Sequence, residues 1–174
     1  MKAIIIYFSR GDENYFGGNL DYVEKGNNEV LKDFIKNILS CDEFKVEPLK
    51  PYPRDYKECL EVTKAEKDNN IYPPLKQYLT DVDDYDVVFV GSPVYWNTMP
   101  MPMFSALKAL NLNNKVVMPF ITHEGSGAAE IIADLRNLFP NAIIKEPLVL
   151  YGSEVKISSN KVLMWINNSL KEYR

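Results

Sequence analysis

Three near-continuous apolar segments constrain the fold of this chain more than any other feature. They cover residues 3–8, 86–91 and 115–121, and the first reads Ala-Ile-Ile-Ile-Tyr-Phe. Such runs are typical of strands buried on both faces, as in a parallel sheet with helices on either side. Weaker strand candidates lie at 44–48 and in the pair 142–144 and 148–150.

Amphipathic helical patterns separate these segments. Apolar residues recur at helical spacing within 30–39, 128–139 and 162–170, with a weaker pattern at 54–68 and a short one at 104–110. Strands that alternate with helices predict an α/β fold, a doubly wound sheet of five parallel strands with helices on both faces. A length of 174 residues fits a single domain spanning 1–174.

Two long connections interrupt this alternation, at residues 9–26 and 48–74. Loops of that length are uncommon in a compact domain, and they are usually functional where the flanking elements are strong. We therefore expect the first connection to be a long loop that contributes to a site.

The composition argues against several classes of protein. A net charge of −4 offers no basic surface for nucleic acid, and no apolar run approaches the roughly 18 residues that span a bilayer. Arg10 and Asp12 follow the apolar start at once, which indicates a strand and not a secretory signal. Cys41, Cys59 and the single His123 are too scattered for a zinc site. We expect free thiols, no bound metal and a cytoplasmic location.

Small and polar residues follow each of the three strong strands. After the first strand they lie at residues 9–10 and 26–28, after the second at 92–98, and after the third at 122–127. In an open parallel sheet, ligands bind outside the carboxyl ends of the strands, where the strand order reverses. These segments therefore predict one site at one edge of the sheet.

The first of these segments suits a phosphate group. A helix that begins near Gly26 would present free backbone N–H groups, while Ser9, Asn27 and Asn28 could hydrogen-bond oxygens without adding charge. The chain contains neither a GxxxxGK[ST] nor a GxGxxG pattern, so a nucleotide-triphosphate loop is not expected. The alternative is that Asn27 simply caps the helix.

The other two segments suit a flat ring. Tyr95 and Trp96 offer planar faces, and because neighbours on a strand point to opposite sides, only one of them should stack on a ligand. Gly125 and Gly127 could supply backbone N–H donors beside His123. A structural role for His123 remains an equal alternative.

These segments, in this order, resemble the flavodoxin-like FMN-binding family. The similarity is carried by Tyr7-Phe8-Ser9-Arg10, by Gly26-Asn27-Asn28, by residues 91–96 (Gly-Ser-Pro-Val-Tyr-Trp) and by residues 122–127 (Thr-His-Glu-Gly-Ser-Gly). More narrowly, the chain is similar to a branch with a YFSR first strand and a lengthened phosphate loop, in which Asn28 stands where the family has Thr.

The resemblance implies a sheet in the order 2-1-3-4-5 and FMN bound without a covalent link. It implies a phosphate held by Ser9, Asn27 and Asn28, with residues 93–98 along the isoalloxazine and 122–127 closing the other side. The cofactor-binding residues expected on this basis are Ser9, Arg10, Gly26, Asn27, Asn28, Ser92, Pro93, Val94, Tyr95, Trp96, Asn97, Thr98, Thr122, His123, Glu124, Gly125, Ser126 and Gly127.

The function expected from the resemblance is electron transfer by FMN in the cytoplasm, with a redox partner protein or a small-molecule acceptor. Because the flavin carries the chemistry, no catalytic side chain is expected. One alternative is an NAD(P)H-dependent FMN reductase of quinones or similar acceptors, which would permit a homodimer. Another is a binding module of the same fold that has no flavin.

Other enzyme classes lack their required residues. A low-molecular-weight phosphatase needs Cys-x5-Arg, but Ala65 and Glu47 stand six residues after the two cysteines. A serine hydrolase needs a GxSxG elbow, which is absent.

Overall fold

The computed structural model describes residues 1–173. The strands are β1 Ala3–Tyr7, β2 Asp12–Phe16, β3 Asn19–Val23, β4 Asp42–Lys45, β5 Val87–Pro93, β6 Val116–His123, β7 Ile143–Ile144 and β8 Leu148–Tyr151. The helices are α1 Asn27–Ile38, α2 Tyr56–Asp68, α3 Met101–Leu107, α4 Ile131–Leu138 and α5 Ser159–Ser169, with short 3₁₀ turns at Gly152–Ile157 and Lys171–Tyr173.

The main sheet runs in the order β4-β1-β5-β6, followed by β7 and β8, and every pairing in it is parallel. Counted by position, this is the order 2-1-3-4-5, so the predicted fold is confirmed. The fifth position holds two strands in succession instead of one. β7 pairs with residues 116–117 and β8 with residues 120–123. Pro147 stands between them without an N–H to donate, which accounts for the break.

Helices cover both faces of this sheet, as the apolar runs predict. Alternate residues of β1 point to opposite sides: Ile4 and Ile6 pack with α3 and α4, whereas Ile5 and Tyr7 pack with α1 and α5. A strand with an apolar core on each face needs a continuous apolar sequence, which is the pattern at 3–8. The α2 helix packs beside α3 and against β2.

The connection at 9–26 is not the irregular loop expected from the sequence. It forms an antiparallel hairpin of β2 and β3, paired from Asp12 with Val23 to Phe16 with Asn19. Gly17 and Gly18 make the two-residue turn, with φ of 54° and 101°, a backbone region that glycine adopts at little cost. The Gly-Gly pair is a recognised hairpin signal, and it identifies a structure where the apolar pattern alone does not.

The predicted element boundaries also shift near the sheet edge. The sequence predicts a strand at 44–48, whereas the observed strand β4 is Asp42–Lys45, which pairs only with β1. As an edge strand with Asp42 and Glu43 exposed, it does not need the apolar sequence that a central strand does. The α3 helix begins at Met101, with Pro102 in its first turn, three residues before the predicted start.

Candidate functional site

A cavity of about 260 Å³ lies at the carboxyl ends of β1, β5 and β6. From β1 the chain passes to β4 on one side and later to β5 on the other, so this edge is where the strand order reverses. The amino end of α1, the β2–β3 hairpin and one face of α2 complete the walls. Sequence-predicted residues that line the cavity are Ser9, Arg10, Asn27, Asn28, Pro93, Val94, Tyr95, Trp96, Thr122, His123 and Glu124.

The amino end of α1 is built by close packing of two chain segments. Gly26 is the N-cap, and a Cβ there would lie 2.4 Å from both the Arg10 carbonyl oxygen and Ser9 Oγ. Ser9 Oγ accepts a hydrogen bond from the Glu29 N–H at 3.1 Å, so Ser9 caps α1 from the end of β1. Asn27 is the first residue of α1 and not its N-cap.

Two backbone N–H groups at this helix end are free. Among residues 1–173, no hydrogen bond is made by the N–H of Asn27 or of Asn28. The first N–H groups of a helix have no partner within the helix and lie at the positive end of its dipole. Together they can bind an anion.

The Asn28 side chain is turned into the protein. It is 1% exposed, and its Nδ2 donates to Thr122 Oγ1 at 2.8 Å. Its Oδ1 is buried without a partner among the described residues. A buried acceptor left unpaired costs about 1–3 kcal/mol, which a donor from a ligand would offset.

The segment after β5 forms a tight turn. The Tyr95 N–H donates to the Thr98 carbonyl at 2.8 Å, and the Thr98 N–H donates back at 3.1 Å. Both central residues have positive φ, 50° at Trp96 and 68° at Asn97, as in a type I′ turn. A bulky residue such as Trp rarely adopts this conformation, so the turn is strained at the cavity wall.

The two aromatic residues of this turn both line the cavity but differ in exposure. Tyr95 packs inward on the core, with its ring edge-on to Phe8 at 5.8 Å, and burial raises the pKa of its hydroxyl. Trp96 is 38% exposed, and its indole Nε1–H donates to Thr63 Oγ1 of α2 at 3.0 Å. This bond fixes the indole across the cavity mouth.

His123 is held in one tautomer. Its Nδ1 accepts hydrogen bonds from the N–H groups of Gly125 at 2.9 Å and Gly127 at 3.1 Å, which leaves the proton on Nε2. The Tyr151 ring lies 4.3 Å from the imidazole. Burial lowers the pKa of His123, so the neutral ring is favoured. The two glycine N–H groups that were expected to serve a ligand are used here instead.

The hairpin closes one side of the cavity. At its tip the Gly17 N–H donates to Glu124 Oε2 at 3.0 Å, and on its flank the Tyr15 ring stacks on Tyr56 of α2 with centroids 6.3 Å apart. Glu13 Oε2 accepts from the Tyr56 N–H at 3.0 Å, at the start of the same helix. Contacts at both ends therefore fix the hairpin over the site.

Arg10 anchors the base of the hairpin. Its guanidinium donates to the carbonyls of Glu13, Pro53 and Arg54, with the last two bonds at 2.7 Å, and to Asn14 Oδ1 at 3.2 Å. Its Nε is buried without a partner in the described chain. Arg10 thus lines the cavity, and the hydrogen bonds of its guanidinium go to neutral oxygens of the protein.

The remaining sequence-predicted residues do not line the cavity. Ser92 lies inside β5 and donates to the Pro93 carbonyl at 2.8 Å, while Asn97 and Thr98 bond toward α4, through Glu130 and Asp134. The full set is Gly26, Ser92, Asn97, Thr98, Gly125, Ser126 and Gly127.

Sequence analysis expected the connection at 9–26 to contribute to the site, but it identified neither the hairpin that this connection forms nor the packing of α2 against the cavity. The hairpin contributes Asn14, Tyr15 and Phe16, and α2 contributes a face made of Tyr56, Cys59, Leu60 and Thr63. The Gly-Gly turn could have revealed the hairpin. The spacing of the α2 residues identifies a common helix face, but only the packing decides what that face meets.

Within residues 1–173, no group of three or more His, Cys, Asp or Glu side chains is arranged to hold a metal ion. In the same range, no helix has the length and apolar character needed to cross a membrane. Both cysteines are unpaired.

Several solved structures share this architecture. A candidate flavoprotein from Bacteroides eggerthii aligns over 97% of each chain with a TM-score of 0.75 and 21% identity. A second, from Bacteroides uniformis, covers 95% of this chain and 97% of its own with a TM-score of 0.69 and 20% identity. A flavoprotein from Lactobacillus acidophilus, solved in complex with FMN, covers 90% of this chain and 97% of its own, with a TM-score of 0.61 and 16% identity.

These similarities establish the fold, and no curated protein is significantly similar to the chain. The family model described as flavodoxin matches residues 21–169, which include α1, β5, β6 and the segments that follow these two strands. The chain belongs to the flavodoxin family.

Proposed function

We propose that the cavity binds FMN without a covalent link and that the protein transfers electrons between a partner and this flavin. One observation carries the proposal: an anion-binding helix end and aromatic side chains line the same cavity. The free N–H groups of Asn27 and Asn28 suit the phosphate, and Trp96 suits the ring. We further assign the chain to the branch with a YFSR first strand and an extended phosphate loop, formed here by the hairpin.

The polar atoms of the cavity fit the chemistry of FMN. The unpaired Oδ1 of Asn28 needs a donor, and the hydroxyl groups of a ribityl chain are donors. Phosphate oxygens are acceptors, which suits the two free N–H groups. The FMN complex of the Lactobacillus acidophilus protein supports the same ligand for a chain of this fold.

The apolar part of the cavity fits the ring. Trp96 and Tyr15 stand at the mouth, 38% and 41% exposed, while Tyr95, Tyr56 and Leu60 form deeper walls. Aromatic faces at this position would stack on a planar heterocycle and exclude water from it. Because the mouth residues remain exposed, an edge of the ring would be open to a redox partner.

When bound, FMN supplies the electron transfer, and the protein supplies binding, orientation and electrostatics. The Arg10 guanidinium is occupied by carbonyl oxygens, and burial lowers the pKa of His123 so that its neutral form is favoured. Glu124 adds a negative charge at the cavity wall. Since the acceptors of Arg10 are neutral oxygens, its positive charge and the negative charge of Glu124 both act on a ligand in the cavity.

Absorbance and steady-state kinetics test the proposal. We expect the purified protein to show flavin absorbance, or to gain it with FMN, and to transfer electrons without a nicotinamide substrate of its own. NAD(P)H oxidation that depends on a quinone would instead favour the reductase alternative. A colourless protein that FMN cannot reconstitute would favour a flavin-free binding module and refute the proposal.

A further inference from the structure

The Glu124 carboxylate lies between the hairpin tip and the amino end of α1. Its Oε2 accepts from the Gly17 N–H at 3.0 Å. Its Oε1 lies 2.2 Å from the point that a Cβ on Gly152 would occupy, and Asn27 Nδ2 lies 2.5 Å from the same point. The carboxylate therefore reaches from the hairpin to the first residue of α1, where Gly152 leaves room for both side chains.

No cation balances this carboxylate. Within residues 1–173, Glu124 makes no ion pair within 4.0 Å. Arg10 also lines the cavity and keeps its positive charge, but its guanidinium donates to the carbonyls of Glu13, Pro53 and Arg54 and to Asn14 Oδ1, not to Glu124. Its hydrogen-bond donor is the Gly17 N–H, and its neighbour at α1 is the Asn27 side chain, at the end of the helix where the dipole is positive.

The helix end beside Glu124 is the one that suits a phosphate. It has two free N–H groups, and beside them the buried Asn28 has an unpaired Oδ1. A phosphate monoester carries a charge of about −1.5 to −2 at neutral pH. Glu124 is an exposed residue, so water screens part of the repulsion, but a carboxylate and a phosphate at one helix end still repel each other.

We propose that Glu124 is a specificity-determining residue, whose carboxylate competes with the flavin phosphate for the amino end of α1 and so sets the preference between FMN and riboflavin. The inference rests on the proposed function. Binding of the phosphate moves the carboxylate away from Asn27 and weakens its hydrogen bond to Gly17. Riboflavin has the same ring and ribityl chain but no phosphate, and it leaves Glu124 in place.

Calorimetric titration of Glu124→Gln with FMN and with riboflavin tests this competition. Glutamine keeps the size of the side chain and an oxygen that can accept from Gly17, while the charge is removed. We expect the FMN affinity to rise on the order of tenfold, the effect of relieving one nearby like charge, and riboflavin affinity to stay within about twofold. Glu130→Gln is the matched control: it removes the same charge from an exposed residue outside the cavity, and both affinities should be unchanged.

Amide exchange at Gly17 provides a readout that does not depend on affinity. In the wild-type chain, FMN should speed exchange of the Gly17 N–H several-fold relative to the riboflavin complex, because only the phosphate displaces its acceptor. The Glu124 assignment is overturned if both flavins gain equally in Glu124→Gln, if the FMN affinity does not rise, or if Gly17 exchanges equally in the two complexes. Absence of binding of either flavin to the wild-type chain would overturn the proposed function, and this inference with it.

Discussion

Trp96 combines a strained backbone with a position at the cavity mouth, and two substitutions can separate these properties. Its φ of 50° lies in the left-handed region, which costs a residue with a Cβ roughly 1–2 kcal/mol. Glycine adopts that region without the penalty, whereas alanine retains it. Trp96→Gly and Trp96→Ala both lose the indole, so their difference reports the backbone strain, reduced by the extra conformational entropy that glycine loses on folding.

The magnitude follows from this comparison. Both variants lose the hydrogen bond to Thr63 and the same ring contacts, so these losses cancel between them. Trp96→Gly should therefore be more stable than Trp96→Ala by at most about 1–2 kcal/mol, since the entropy cost of glycine opposes the relief of strain. For a chain of this length, that difference corresponds to roughly 2–8 °C in Tm.

Thermal unfolding followed by circular dichroism measures the stability difference, and titration with FMN and riboflavin measures the role in binding. Loss of the stacking surface should weaken both flavins alike in both variants, by about 1–3 kcal/mol, or roughly 5- to 150-fold. Equal Tm values for the two variants would refute the strain argument. Flavin affinities equal to those of the wild-type chain would refute the placement of Trp96 against the ring.

Three further predictions concern the walls of the cavity. Ser9→Ala removes the oxygen that accepts from the Glu29 N–H and should lower stability by about 1 kcal/mol, or roughly 2–4 °C in Tm; an unchanged Tm would show that α1 does not need this cap. Asn27→Ala should weaken FMN by about 1–3 kcal/mol and leave riboflavin unchanged in calorimetry, and equal losses for both ligands would contradict a phosphate contact. Because burial lowers the pKa of His123 from 6.5, its neutral ring stabilises the fold above that pH, and this contribution is lost as the pH falls through the lowered value. The unfolding free energy of the wild-type chain relative to His123→Gln should therefore shrink on acidification, and denaturant titrations that show it growing would contradict the assignment.

The central part of the fold follows from the sequence because it depends on burial alone. The runs that form β1, β5 and β6 are apolar on both faces. A strand with that pattern is buried on both sides, as in the middle of a parallel sheet covered by helices. The segments after these strands then meet at one edge by topology, which is why Ser9, Tyr95 and His123 could be placed together in advance.

The parts that could not be predicted depend on packing between elements. The face of α2 that carries Cys59 and Thr63 is visible as a helical pattern, but nothing local indicates that it meets the cavity instead of the core. Similarly, the sequence predicts that the N–H groups of Gly125 and Gly127 donate to a ligand. In the structure both donate to His123 Nδ1 instead. The hydrogen-bond partners of such polar groups are determined by which atoms lie close in the folded structure, and the spacing of residues in the sequence does not reveal this.

Quenching of flavin fluorescence by the purified chain, compared between wild-type protein and a variant with a filled cavity, tests the central claim most directly. Leu60 lines the cavity from α2, so Leu60→Trp should block it, whereas Leu163 is 41% exposed on α5 and Leu163→Trp provides a matched control outside it. We predict that the wild-type chain and Leu163→Trp bind about one FMN per chain and quench its emission, and that Leu60→Trp remains folded but loses most of this binding. FMN binding by Leu60→Trp at the wild-type affinity, or no saturable binding by the wild-type chain, would contradict the assignment of this cavity as an FMN site.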